Sequence, residues 1–205
     1  MSTELTTTAR PYHHGNLREA LLAAAERALE TTGAQDLSLR ELAREVGVSH
    51  AAPRRHFPDK QALLDALALN GFEQLGAVLA KAINNAEPRF DAQMLSLARA
   101  YTGYATAHPA LIELMFAAKH KAGGPPELTE AGERAFAPAL EAVAAGQAAG
   151  AVVPGDPERV AIVAFAALQG LVALANTGFL GEEPLNDLLD DAMQRLMLGL
   201  QPRTA

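Results

Sequence analysis

The segment LRELAREVGVSHAAPRRHF, Leu39 to Phe57, decides how the rest of the chain is read. It opens on an apolar-periodic stretch, Leu39 to Val46, with Leu42 and Ala43 on the face that also carries Leu39. Ser38 stands just ahead of it and Glu41 three residues on, which is the capping-box spacing for a helix start. Gly47 supplies the left-handed backbone that ends a helix. Val48 is placed to plug the gap between two helices, and Ser49 is a good cap for a second one running to Phe57. A helix, a tight Gly-Val-Ser turn and a second helix have the spacing of a helix-turn-helix. In that motif the second helix enters the DNA major groove.

Working outward, helix signals dominate. The spacing of Leu17, Leu21, Ala24, Ala25 and Leu29 predicts a first helix from a cap at Asn16 to the terminator Gly33. After Phe57-Pro58, Asp59 caps a fourth helix, about 60–85, which Glu87-Pro88 breaks. Further helices are expected over about 90–107, 109–119, 128–149, 157–177 and 185–200, nine in all. Between them lie breaks at 121–127, around Gly123-Gly124-Pro125-Pro126, at 150–157 and at 178–184. No alternation of apolar and polar residues runs far enough for a strand, so the expected fold is all-α. Its head, residues 1–60, is a three-helix DNA-binding domain. Its body, residues 61–205, is a helical bundle for ligand binding and dimerisation.

Composition narrows the function. The 205 residues include no cysteine, which removes disulfides, thiolate metal sites and cysteine nucleophiles. The first ten residues are polar and threonine-rich, unlike a signal peptide. The longest apolar stretch, Val160 to Leu174, is broken by Gln169 and falls short of the roughly 18–20 residues of a membrane span. The expectation is a soluble cytoplasmic protein with no membrane partner. Net charge is −7, but residues 1–60 carry eight basic and eight acidic side chains, so the whole acidic excess lies in residues 61–205. Within the neutral head, Ser49 to Phe57 holds Arg54, Arg55, His50 and His56 and no acid, a local patch suited to a polyanion. His13-His14 reads as an N-terminal arm rather than a metal site, because adjacent residues on a helix do not share a face. No cofactor is expected. Nucleophile–base sets, phosphate loops and paired-histidine metal motifs are missing from the sequence, so an enzyme is not expected.

The residues from Gly15-Asn16-Leu17-Arg18 through Gly33, from Leu39 to Phe57, and on through Pro58-Asp59-Lys60 to Leu63-Leu64 resemble the head of the TetR family of bacterial regulators. The resemblance implies that Phe57 is core and that Lys60 touches phosphate. It also bears on Arg54, whose place is often held by a tyrosine that contacts the DNA backbone. An arginine there can make a charge-assisted bond instead. In the body, His108-Pro109-Ala110-Leu111 with Met115-Phe116 resembles a subgroup marked by Trp-His-Gly in its eighth helix, where this chain has Leu168-Gln169-Gly170.

The DNA-contact candidates are therefore Arg54 and Arg55, with His56 and Lys60 flanking them. His50 and Ala51 lie at the helix start where base edges are read, and Ser49 presents its N–H-rich end to phosphate. Ser38 and Arg40 are phosphate candidates with an equal reading as a cap and an exposed charge. For the ligand, the larger side chains of the middle helices are either cavity lining or ordinary core: Phe72, Met94, Leu97, Met115, Phe116 and Phe136, with Leu140 beside them. Tyr101 and Tyr104 stand out because a buried hydroxyl needs a partner that a ligand can supply; Gln169, an amide in an apolar helix, needs one too, which a ligand, its dimer mate or a backbone carbonyl can supply. The eighth predicted helix is apolar on more than one face; pairing with the ninth and their symmetry mates would cover it and supply the two heads a palindromic operator needs. The leading expectation is a dimeric repressor of operator DNA, released by a small hydrophobic or aromatic effector. The alternative is a helical ligand-binding or interaction protein that no longer reads DNA sequence.

Overall fold

The computed structural model describes residues 17–121, 123–181 and 184–201. Asn16, His13 and His14 lie outside the described residues. The described chain forms eight α-helices and one 3-10 helix: α1 (Leu17–Asp36), α2 (Leu39–Glu45), the 3-10 helix (Pro53–Arg55), α3 (Lys60–Asn84), α4 (Phe90–Ala107), α5 (Pro109–Lys119), α6 (Pro126–Ala148), α7 (Pro157–Asn176) and α8 (Leu185–Leu200). No strand occurs among the described residues. The all-α expectation holds, and the ninth helical element is the 3-10 turn. The predicted eighth and ninth helices are thus α7 and α8.

Contacts divide the chain into two compact units, one closing at Leu63 and the other opening at Leu64, within α3. In the first unit α1, α2 and the 3-10 helix pack on one another. Leu21, Leu22, Ala24, Ala25 and Leu29 of α1 are buried, with Leu42 and Ala43 of α2 and with Phe57. Ala43 has no exposed surface, so a larger side chain has no room there. The regular part of α1 ends at Gly33, whose φ of 76° is outside the helical range. Asp59 caps α3, its Oδ1 accepting from the Ala62 N–H at 2.8 Å.

In the second unit α4 is the central element, packed on α5, α6, α7 and α8. Its buried face carries Met94, Leu97, Ala98, Tyr101, Thr102, Tyr104 and Ala105. Arg99 on its outer side pairs with Asp190 of α8. Gly146 of α6 is small because Phe90 and Val152 press against it: a Cβ there would meet each at 2.8 Å. The Val153 N–H donates to the Leu200 carbonyl at 2.8 Å, tying the α6–α7 turn to the end of α8.

By length and mean hydropathy, α3 (1.2) and α7 (1.7) both qualify as long and apolar enough to cross a membrane, which corrects the sequence expectation that no segment would. That expectation demanded an uninterrupted apolar run, whereas a mean over 18 residues of a helix tolerates single polar residues such as Gln169. Only 17% of the α7 window is buried. Ile162 is 60% exposed, Val163 57%, Leu198 61%, and Phe179, just after α7, 77%.

Candidate nucleic-acid interface and ligand site

The helix-turn-helix segment begins as the sequence implies. Gly47 has φ of 74°, the Val48 N–H donates to the Ala43 carbonyl at 2.9 Å, and the Gly47 N–H to the Arg44 carbonyl at 3.2 Å. This pair of bonds is the Schellman ending of a helix. Ser38 holds the N-cap position of α2, but its side chain makes no cap bond.

The next element departs from expectation. Ser49 to Phe57 is not an α-helix capped by Ser49; it is a run of turns closing in the three-residue 3-10 helix. The cause is Pro53. In an α-helix from Ser49 its nitrogen would bond the Ser49 carbonyl, but proline has no N–H and its ring meets that carbonyl. The Ala52 N–H takes the Ser49 carbonyl instead, at 3.0 Å, and the Arg55 N–H takes the Ala52 carbonyl at 3.2 Å, which is the tighter i to i+3 pattern. Pro53 itself is buried, and the His56 and Phe57 N–H groups both donate to its carbonyl at 2.9 Å.

This geometry leaves Ser49, His50, Ala51, Arg54, Arg55 and His56 exposed on one short segment, with Phe57 turned in and only 1% exposed. No acid pairs with Arg54 or Arg55 among the described residues. Arg40 is exposed on α2 and Ser38 is half-buried. Lys60 is half-buried, and its ammonium donates to the Gln35 carbonyl, holding the end of α1 to the start of α3. A residue not singled out as a site from sequence joins this region: the Arg18 guanidinium lies 5.5 Å from the centre of the Phe57 ring. Nothing local to Arg18 signals that contact, because Phe57 is brought to it by the turn.

The ligand candidates divide into two groups. Phe72, Tyr101, Phe116 and Phe136 come together, one each from α3, α4, α5 and α6. Phe165 of α7 completes the cluster, 5.4 Å from Tyr101, 5.7 Å from Phe116 and 5.1 Å from Phe136. Phe165 was missed in the sequence, although it stands four residues before Gln169 and so shares its face of the helix. The Tyr101 hydroxyl donates to the Gln169 side-chain carbonyl. Burial pushes the Tyr101 phenol above its ordinary range, so it stays protonated and acts as a donor.

The remaining candidates are engaged elsewhere. Tyr104 donates to the Gly71 carbonyl at 3.3 Å and to Gln74 Oε1 at 3.2 Å, bracing α4 against α3, and its ring stacks on His108 at 4.7 Å. Met115 packs against Gly71, where a Cβ would lie 2.6 Å from its sulfur. Leu97 and Met94 are buried one and two turns ahead of Tyr101 on α4. An open groove of about 520 Å³ beside Phe90, Gly146 and Met197 lies apart from the ring cluster.

A helix-turn-helix unit followed by an all-helical unit is the architecture of a DNA-binding regulator. Residues 21–67 match the family described as bacterial regulatory proteins, tetR family, and residues 94–200 match the tetracyclin repressor-like C-terminal domain. The chain belongs to the TetR family of transcriptional regulators. A protein of unknown function from Rhodococcus sp. RHA1 is 46% identical in sequence, with a TM-score of 0.88 over 95% of this chain and 100% of that one. A TetR family transcription regulator from Marinobacter aquaeolei VT8 shares the fold at 20% identity, TM-score 0.74, over 91% of this chain and 96% of that one. A TetR family protein from Vibrio parahaemolyticus shares it at 24% identity, TM-score 0.72, over 91% and 99%. No curated protein matches the chain by sequence.

Proposed function

We propose that the protein is a cytoplasmic, ligand-responsive repressor that grips a palindromic operator as a dimer and lets go when a small apolar effector enters its second unit. The observation that carries the reading is the acid-free segment from Ser49 to His56 on a helix-turn-helix unit, with Ser49, His50, Ala51, Arg54, Arg55 and His56 exposed. Arg54 and Arg55 hold phosphate, His50 and Ala51 face base edges, and Ser38, Arg40 and Ser49 add backbone contacts. Lys60 already donates to the Gln35 carbonyl, and the further N–H groups of its ammonium serve phosphate. Residues 1–60 thus serve DNA and residues 61–205 serve the effector and the partner.

The dimer forms through the outward face of α7 with α8. Ile162, Val163, Ala166, Gly170, Ala173 and Leu174 recur on that face at helical spacing and are all exposed in the single chain. Pairing with a second copy in a four-helix bundle removes this apolar surface from water. The effector acts on the heads through α3, the helix in which one unit ends and the next begins.

One observation favours a second reading, a helical ligand-binding protein that no longer discriminates DNA sequences: the segment that ought to lie in the major groove is a 3-10 turn. A fluorescence-anisotropy titration separates the two. Purified protein is titrated into labelled DNA from upstream of its own gene and into scrambled DNA, at two salt concentrations. The repressor reading expects preference for the upstream DNA, saturation at an even number of protomers and steep weakening with salt. Equal, weak binding to both supports the second reading.

A further inference from the structure

We propose that the ring cluster of the second unit takes an uncharged, flat, mostly apolar molecule bearing one hydrogen-bonding oxygen, and that the Tyr101–Gln169 pair is the polar anchor for that oxygen. The inference rests on the reading above that an effector enters this unit.

Five successive helices, α3 to α7, each contribute one ring. Neighbouring rings are 5.1 to 6.3 Å apart and tilted, from 34° for Phe116–Phe136 to 87° for Phe72–Phe116. A planar guest can exchange these ring–ring contacts for ring–guest contacts of the same kind. An aliphatic core would not select a flat guest in this way.

The surroundings of the rings exclude a charged guest. Among the described residues, the buried side chains that carry a polar group are Thr102, Tyr101 and Tyr104, all neutral hydroxyls that are already bonded; that of Thr102 donates to the Ala98 carbonyl at 2.9 Å. Neither a cation nor a carboxylate is buried there to meet an ionised guest. An anion or an ammonium would leave water without a counter-charge, which is unfavourable by far more than ring contacts return.

The anchor is a pair that satisfies itself. With no guest, the Tyr101 hydroxyl and the Gln169 carbonyl use each other, so the buried phenol is not orphaned. A guest that separates them must replace what they lose. One oxygen does this for the buried phenol by accepting its O–H, and the Gln169 amide, half-buried on α7, donates its N–H to the same oxygen while its carbonyl turns to water. A hydrocarbon of the same shape cannot. The α6 wall is built to yield at this point. Pro138, two residues after Phe136, removes the N–H that would bond the Arg134 carbonyl.

The test uses the full chain and four probes on one bicyclic frame: acetylnaphthalene, ethylnaphthalene, naphthoate and naphthyltrimethylammonium. Binding is followed by calorimetry at neutral pH, for the native protein and for Tyr101→Phe and Gln169→Leu. Circular dichroism checks that both variants keep their helices. Acetylnaphthalene is expected to bind tightest, and Tyr101→Phe to erase about five- to tenfold of its advantage over ethylnaphthalene, the worth of one neutral hydrogen bond. Equal or tighter binding of either ion overturns the assignment of ligand class. So does an acetyl-over-ethyl preference that survives both substitutions. Binding of none of the four overturns the inference as well. The DNA titration, which needs no effector, judges the repressor reading independently of all three results.

Discussion

Replacing Arg54 and Arg55 together with alanine removes two exposed, acid-free positive charges from each head, hence four from the proposed dimer. Each phosphate neutralised by a protein cation contributes about 0.9 to the slope of log affinity against log salt, through release of condensed counterions. If all four guanidinium groups sit on phosphate, the slope becomes shallower by about 3.6. Over the fourfold span from about 50 to about 200 mM salt, the gap between native and variant protein then closes by about two orders of magnitude. Anisotropy titrations of one labelled operator at several salt concentrations read this directly. Folding is not at stake, because both side chains are exposed and the turn is held by Pro53 and Phe57. A change of about half that size leaves one arginine per head on DNA. Parallel lines for the two proteins refute the placement of both arginines, however much the affinity falls.

Three further outcomes follow from the packing, and one from the buried phenol. Gly146→Ala forces a methyl within 2.8 Å of Phe90 and Val152; overpacking of about 2 kcal/mol outweighs a gain of about 1 kcal/mol in helix propensity, so Tm falls by a few degrees. Gly103→Ala in α4, where a Cβ meets nothing within 4 Å, raises Tm instead, and thermal unfolding of the pair side by side checks the sign. Val163→Glu places a charge in the proposed dimer face at a position 57% exposed in the single chain, so sedimentation velocity should show a monomer with unchanged helix content. Because burial raises the Tyr101 pKa, the stability it links to protonation is complete below the ordinary value near 10 and is lost as pH climbs toward the folded-state value. Tyr101→Phe is therefore less stable than native at neutral pH, where one hydrogen bond is missing, yet loses less stability on alkaline titration. Equal alkaline loss in the two proteins would show that the phenol ionises as freely folded as unfolded.

Much of the fold was written in short-range signals. Gly33 and Gly47 end helices, Asp59 starts one, and Pro109 and Pro157 stand at helix starts, each through backbone chemistry spanning four or five residues. The exposed segment proposed to face DNA was legible in the same way, since its residues are consecutive and their charge needs no partner to be noticed. Its conformation was misread by counting. Pro53 stands four places after Ser49, where a helix that starts at that cap requires an N–H, and no cap at Ser49 can supply it.

What the sequence by itself determined is the order of the helices, the extent of all but the third, and the place of the helix-turn-helix and its arginines, because these depend on neighbours along the chain. Only the tertiary structure decided which large side chains meet. Phe72 and Phe165 belong to one cluster although 93 positions separate them, whereas Tyr104, three residues from Tyr101, turns to Gly71 and Gln74. It also decided that Lys60 lies on the Gln35 carbonyl and Arg18 over Phe57. The physical reason is that helical periodicity fixes the face a residue occupies, while the partner of that face is chosen by how whole helices cross, and crossing depends on the summed packing of every side chain between them.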